Sequence, residues 1–254
     1  MNNKVSLLVN CLNEVDNLKN NILPLVEHFD ETIIVDMQSN DGSRELFQTI
    51  PLSKFIEINK LGYVEPARKL GIDSCSYEFI FILDADETLS EKILIELKKF
   101  RNGSSSIFHD LLNKTSGIYI PRLNSMFHKD ILWGKFSPQN DKQLRFFSKS
   151  TVDISDEIHH GIKFKKNINI RELQFSEGYY IYHYHSTSAL QFITRIVRYS
   201  KYESNNREGI DSFNIKMAIR AFIREYIKNK GFMHGKVGFA LAYILALREF
   251  LKGK

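Results

Sequence analysis

Two cysteines, Cys11 and Cys75, are all that 254 residues contain, too few for a disulfide scaffold and without the spacing of a zinc site. They read as buried packing thiols in a reducing compartment. Five prolines and no low-complexity tract exclude a proline-rich, collagenous or disordered chain. The run VGFALAYILAL covers eleven residues, too short to span a bilayer. The start, MNNKVSLLVN, has no basic n-region followed by a long apolar stretch, so no signal peptide is read and a cytosolic protein is expected. After the first apolar run comes CLNEVDN, which lacks the glycines of a phosphate loop.

Charge is present but unevenly placed. From Arg195 to Lys254 there are 13 Lys/Arg against 5 Asp/Glu, while the whole chain carries a net +5, so the excess resides in the tail. A basic tail points to a polyanionic surface.

The first hundred residues alternate two periodicities. VSLLVN, TIIVDM, KFIEIN and YEFIFILDAD are short apolar runs; NEVDNLKNNILPLVEHF, SRELFQTI and EPARKLGIDSC carry helical spacing. Such alternation predicts βαβ units around a covered, largely parallel sheet, an α/β layered fold. After the polar stretch RNGSSSIFHD the pattern changes to extended segments, GIYIPRL, KQLRFFS, FKKNINI and LQFSEGYYIYHYH, and beyond Ser186 everything reads as helix. The expected organisation is a half at 1–100, a half at 101–186 and a helical region at 187–254.

In open α/β sheets ligands bind beyond the carboxyl ends of the strands. Here those ends are polar: Asn13 and Glu14 after the first, Asp36 and Asp41 after the second, Asn59 after the third, and Asp84, Asp86 and Glu87 after the fourth. At a strand rise of ~3.3 Å, Asp84 and Asp86 would stand roughly 7 Å apart on one face, able to share a divalent cation. FIFILDADETL also fits the first motif of haloacid-dehalogenase-type phosphatases, with Asp84 as nucleophile and Asp86 as acid/base. A third reading is a solvated strand end whose tail starts the helix LSEKILIELKKF, with Ser90 as N-cap.

Taken in order, NE after the first strand, DxxSxDGS after the second, Ala67-Arg68-Lys69 with Gly71-Ile72, and DAD resemble the family-2 glycosyltransferases of the GT-A fold. The branch building lipopolysaccharide core and related surface glycans is most similar, through Trp133 with LRFFSK, EIHH and GFMHGKVGF. The phosphatase reading finds no later acidic strand end to complete its site.

The resemblance implies a GT-A mixed sheet over 1–186 and a metal-dependent, inverting transfer from a nucleotide-sugar donor, a UDP-sugar, to a glycan or glycolipid acceptor. By that resemblance Asn13, Glu14, Asp36, Asp41, Arg68 and Asp84 serve the donor. Asp84 and Asp86 hold Mn2+ or Mg2+, with His183 or His185 as a further ligand or else as members of an aromatic cluster, and Trp133 stacks on the acceptor or packs in the core. A non-catalytic nucleotide-binding or membrane-scaffold protein of the same fold is the alternative.

An inverting enzyme needs a general base. Asp141, Asp156, Glu157 and His160 are the candidates, since the Ile-His-Glu of the branch is here Ile158-His159-His160. In the tail, Ile215, Ile219, Phe222, Ile223 and Tyr226 recur at helical spacing beside Lys216, Arg220, Arg224 and Lys228. That pattern suits an interfacial helix on anionic lipid at the inner face of the cell membrane. No nucleic-acid partner is expected, because no stacking platform accompanies the charge.

Overall fold

A computed structural model describes residues 3–50, 53–59, 64–109, 116–154, 162–165, 169–205 and 215–251. The chain forms two compact units, residues 1–122 with 142–182 and residues 123–141 with 183–254. The second unit thus takes in the connection 123–141 as well as the helical region expected from 187 onward.

The first unit begins with β1 (Val5–Cys11), a helical segment whose α-turn α1 (Val15–Asn17) continues as a π-turn and a 3-10 turn to His28, and β2 (Glu31–Asp36). Next come α2 (Ser43–Phe47), β3 (Ser53–Glu57), α3 (Glu65–Ser74), β4 (Phe79–Asp84), β5 (Glu87–Leu89) and α4 (Glu91–Arg101). Strands β6 (Ser116–Met126), β7 (Lys129–Asp130), β8 (Lys142–Ser148), β9 (Val152–Ile154), β10 (Ile162–Phe164), β11 (Asn169–Glu172) and β12 (Ile181–Ser186) follow. The main sheet runs β3-β2-β1-β4-β8-β6-β12-β5. Its first four strands are parallel, and β8 is antiparallel to both β4 and β6.

Every residue of β1 and β2 is buried, as strands covered on both faces require. Alternation sorts them. Val5, Leu7, Val9, Ile34, Phe81 and Leu83 pack on one face with α4, and Leu8, Ile33, Val35, Ile80 and Ile82 pack on the other with Ala67 and Ile72 of α3. Gly71 sets how closely α3 lies on β1: a Cβ there would stand 2.3 Å from Leu8 Cδ1. The two cysteines are free and buried; burial pushes both thiols up to about 12, as expected of inert packing groups.

The stretch Glu87–Leu89 differs from expectation. It forms β5 rather than the start of a helix, and Glu87 is fully buried. Ser90 precedes α4 in extended backbone but makes no side-chain cap; its hydroxyl accepts the Tyr180 N–H at 3.3 Å, which ties β5 to the chain entering β12.

The second unit contains the β6–β7 hairpin and the helices α5 (Ala189–Asn205), α6 (Ile215–Ile223), which continues as a π-turn to Lys228, and α7 (Gly235–Leu251). Met126, Ile131, Phe192, Ile196, Leu241 and Ile244 form its core. Among the described residues no helix is long and apolar enough to cross a membrane.

Candidate active site

β1, β2 and β4 are parallel and in register, so their ends bring three loops together. Asn10 pairs with Val35 on one side and Asp84 on the other. The first two loops are joined by hydrogen bonds between their own motif residues. Asn13, at φ 57°, donates its N–H to Ser39 Oγ at 2.7 Å and accepts the Asn40 N–H at 2.8 Å. Asp41 accepts the Val15 N–H at 2.9 Å and the Ser43 N–H and hydroxyl, so it caps one helical segment and starts the next. Burial would raise this carboxyl, but those bonds hold it below its ordinary value. Glu14 accepts from Asn17 at 2.6 Å and donates its N–H to Ser43. Asp36, almost fully buried, takes the hydroxyl and the N–H of Ser39. Four of the expected donor residues therefore come together as a pre-formed loop pair.

The fourth strand ends in an ion-pair network. Asp84 closes β4, and the chain turns at Ala85 and Asp86, so the two carboxylates are not the alternate positions of one strand that the sequence predicted. Asn21 fixes the turn by donating to the Ala85 carbonyl at 3.2 Å. Asp84 pairs through Oδ1 with Arg68 at 3.1 Å and through Oδ2 with Arg145 at 2.7 Å. Glu87 accepts the Asp84 N–H at 3.0 Å, Arg145 at 2.6 Å and Arg122 at 3.2 Å. Burial alone would raise the Asp84 carboxyl, but the charges of Arg145 and Arg68 hold it well below the usual carboxylate range. Arg145, more deeply buried than Asp84, is kept protonated by Asp84 and Glu87. Asp86 is buried beside them. Three guanidiniums thus meet the carboxylates of Asp84 and Glu87.

Several buried polar atoms here have no protein partner: the Asn10 side-chain oxygen and nitrogen, and the Nε of Arg68 and of Arg145. Each such group costs ~1–3 kcal/mol while unpaired. Asn10 and Glu87 stand at the polar strand ends without a role read from the sequence, and Arg122 and Arg145 are given none there. The available signal was a charge inside an apolar run, as in LRFF and IPRL, because a buried arginine needs a carboxylate partner.

Other expected residues lie in the second unit. His183 is buried and its Nδ1 shares a 2.6 Å hydrogen bond with Asn124 Oδ1, while the Asn124 amide donates to Asp141 at 2.8 Å. His185 contacts His183 edge-on and packs against Phe136 and Phe192, an aromatic cluster. Trp133 stacks on His234 with ring centroids 3.5 Å apart and planes 6° from parallel. Burial, and then the Lys129 charge, lower the His234 imidazole. Of the candidate bases, Asp141 is the one that accepts the Asn124 amide, and Asp156, Glu157 and His160 lie outside the described residues.

The description "Glycosyl transferase family 2" matches residues 6–147, from β1 to the end of β8. The chain belongs to glycosyltransferase family 2. Its fold is accordingly GT-A, with the strand ends described above on the matched segment. Uncharacterised glycosyltransferases of Rickettsia typhi and Rickettsia bellii are 25% and 24% identical to it; both alignments cover 98% of this chain, and 85% and 84% of the respective relatives. Among solved structures it is similar to S. aureus TarS 1–349 in complex with UDP, at 15% identity and a TM-score of 0.48, over 94% of this chain and 75% of that one.

Proposed function

We propose that this glycosyltransferase moves a sugar from a UDP-sugar to a lipid-linked or lipopolysaccharide-like glycan, with inversion and with the help of a divalent cation. The observation that carries the donor reading is the Arg68–Asp84–Arg145 bridge, flanked by Arg122 and the unpartnered Asn10 amide. A nucleoside diphosphate leaving group gains negative charge as the glycosidic bond breaks. Pre-placed guanidiniums stabilise that charge without reorganising at the moment of reaction. Asp36, at the end of β2, serves base or ribose, and the loop pair of Asn13, Glu14 and Asp41 shapes the surface beneath them.

The cation reading rests on two side chains, since among the described residues no group of three or more Asp, Glu, His or Cys side chains is placed to hold an ion. Asp84 and Asp86 offer hard carboxylate oxygens suited to Mg2+ or Mn2+, and a carboxylate that accepts two arginine bonds keeps further lone pairs. When bound, the ion supplies charge neutralisation at the diphosphate. Arg145 and Arg68 keep Asp84 ionised for that task, and Glu87 holds its backbone N–H. The general base is assigned to the segment holding Asp156, Glu157 and His160.

The test is release of nucleoside diphosphate from UDP-sugars, with nucleotide binding measured alongside. Wild type should release UDP slowly in Mn2+ or Mg2+, and both EDTA and Asp86→Asn should suppress release while the fold persists. Full release in EDTA would overturn the cation; absence of nucleotide binding with every donor tried would overturn the donor site.

A further inference from the structure

Helix α6 and the π-turn after it pack in an unusual sense. Ala221 and Glu225 face inward, with Phe222 and Tyr226 set against Phe239 of α7. Ile215, Ile219, Ile223 and Ile227 point outward, each more than half exposed. An amphipathic surface helix ordinarily does the reverse, hiding its largest aliphatic residues. One position further on, Lys216, Arg220, Arg224 and Lys228 form a second exposed ladder. Fourteen residues at 1.5 Å rise make the two ladders about 20 Å long. At the turn into α7, Phe232 and Met233 are also more than half exposed, so the isoleucine ladder has apolar company at that turn.

The neighbouring charge says what covers this face. Residues 215–251 contain seven Lys/Arg against two Glu, and Glu225 is already engaged by Arg224 and Asn229. A second copy docked face to face would set two cationic ladders against each other. Nucleic acid would satisfy the charge but leave the isoleucines in water. A bilayer with anionic headgroups satisfies both, since its phosphates lie a few ångströms above its acyl chains.

We propose that α6 and the π-turn lie in the plane of an anionic membrane surface, with Ile215, Ile219, Ile223 and Ile227 in the acyl boundary, the Lys/Arg ladder at the phosphates, and Phe232 and Met233 inserted beside them. This deepens the lipid-linked acceptor of the proposed function and rests on it for its purpose: a protein held this way meets its acceptor by lateral diffusion.

The experiment is co-sedimentation of the full chain with phosphatidylglycerol and with phosphatidylcholine vesicles, at low salt and in ~1 M salt, where the screening length is about 3 Å. Wild type should sediment with phosphatidylglycerol at low salt and poorly with phosphatidylcholine. The double variant Ile219→Gln/Ile223→Gln should lose at least ~10-fold in partitioning at low salt, where charge attraction is intact. The variant with Gln at 216, 220, 224 and 228 should lose as much, and salt should not weaken it further. Wild type remaining in the supernatant, or the isoleucine variant sedimenting as wild type does, would overturn the proposal. So would a vesicle-free dimer that Ile219→Gln/Ile223→Gln dissociates without any vesicle binding, because the face is then a self-association surface. UDP release from a soluble donor, measured on the same samples without vesicles, should be unchanged in both variants. Its absence in wild type would count against the transferase reading and leave the membrane result standing.

Discussion

Replacing Glu87 with Gln tests the network at the end of β4 with almost no change in shape. Glu87 has no solvent exposure and accepts from the Asp84 N–H, Arg122 and Arg145. An isosteric amide keeps one acceptor oxygen but removes the charge, so the buried Arg145 retains Asp84 as its only carboxylate partner among those pairs. Breaking a buried pair from one side costs ~3–5 kcal/mol, because the remaining charge is left uncompensated. Since Gln preserves part of the hydrogen bonding, the lower end, about 3 kcal/mol, applies here. For a chain of this size each kcal/mol moves Tm by ~2–4 °C, so Glu87→Gln should unfold roughly 6–12 °C below wild type. Circular dichroism on wild type, Glu87→Gln, Arg145→Met and the double variant forms the assay. Removing both partners should cost clearly less than the sum of the single changes, since the second removes the stranded charge. A Tm within about 2 °C of wild type for Glu87→Gln, or strict additivity in the cycle, would refute the account of Glu87 as the anchor of Arg145.

Two further outcomes follow from other parts of the chain. Burial raises the Glu31 carboxyl, but Lys54, Ser76 and Ser6 outweigh it and bring it down from 4.5 to about 2; the stabilisation is therefore present above pH ~4.5 and lost as pH falls toward ~2, and Glu31→Gln should flatten that acid limb of stability, whereas an unchanged acid limb would show that Glu31 does not set it. At Gly238 a Cβ would lie 1.9 Å from the Gly231 carbonyl oxygen, a backbone atom that cannot swing aside, so Gly238→Ala should cost ~1–3 kcal/mol or more and reduce hydrogen-exchange protection across 231–251, with full protection as the contrary result.

The parallel strands and α3 were legible because they depend on local period: an apolar run of four to six residues makes a covered strand whatever lies elsewhere. The same holds for the motif residues of the first two loops, whose order was sufficient to indicate the family. Their immediate task was not legible, since Asn13 and Asp41 spend their hydrogen bonds on each other's loops. Arg145 was hidden for a different reason. Its partners Asp84 and Glu87 lie 61 and 58 residues away in sequence, and no periodicity links positions so far apart. A charge in the middle of an apolar strand was the one trace of that pairing.

The tail shows how far a correct pattern leaves the structure open. Ile215, Ile219, Phe222, Ile223 and Tyr226 do recur at helical spacing, yet the fold divides them, turning Phe222 and Tyr226 toward Phe239 and the isoleucines toward solvent. A helix that carries apolar residues along two adjacent stripes can bury either one, and its own sequence does not choose. The choice is made by the partner: α7 is apolar on most of its circumference, and Gly238 lets it approach Gly231 to backbone contact. Such close approach favours small residues and flat rings in the seam, hence Ala221 with the edges of Phe222 and Tyr226, and it leaves branched isoleucines outside. Their exposure is then a consequence of how the hairpin closes, and the adjoining Lys/Arg ladder turns that consequence into a surface suited to an anionic membrane.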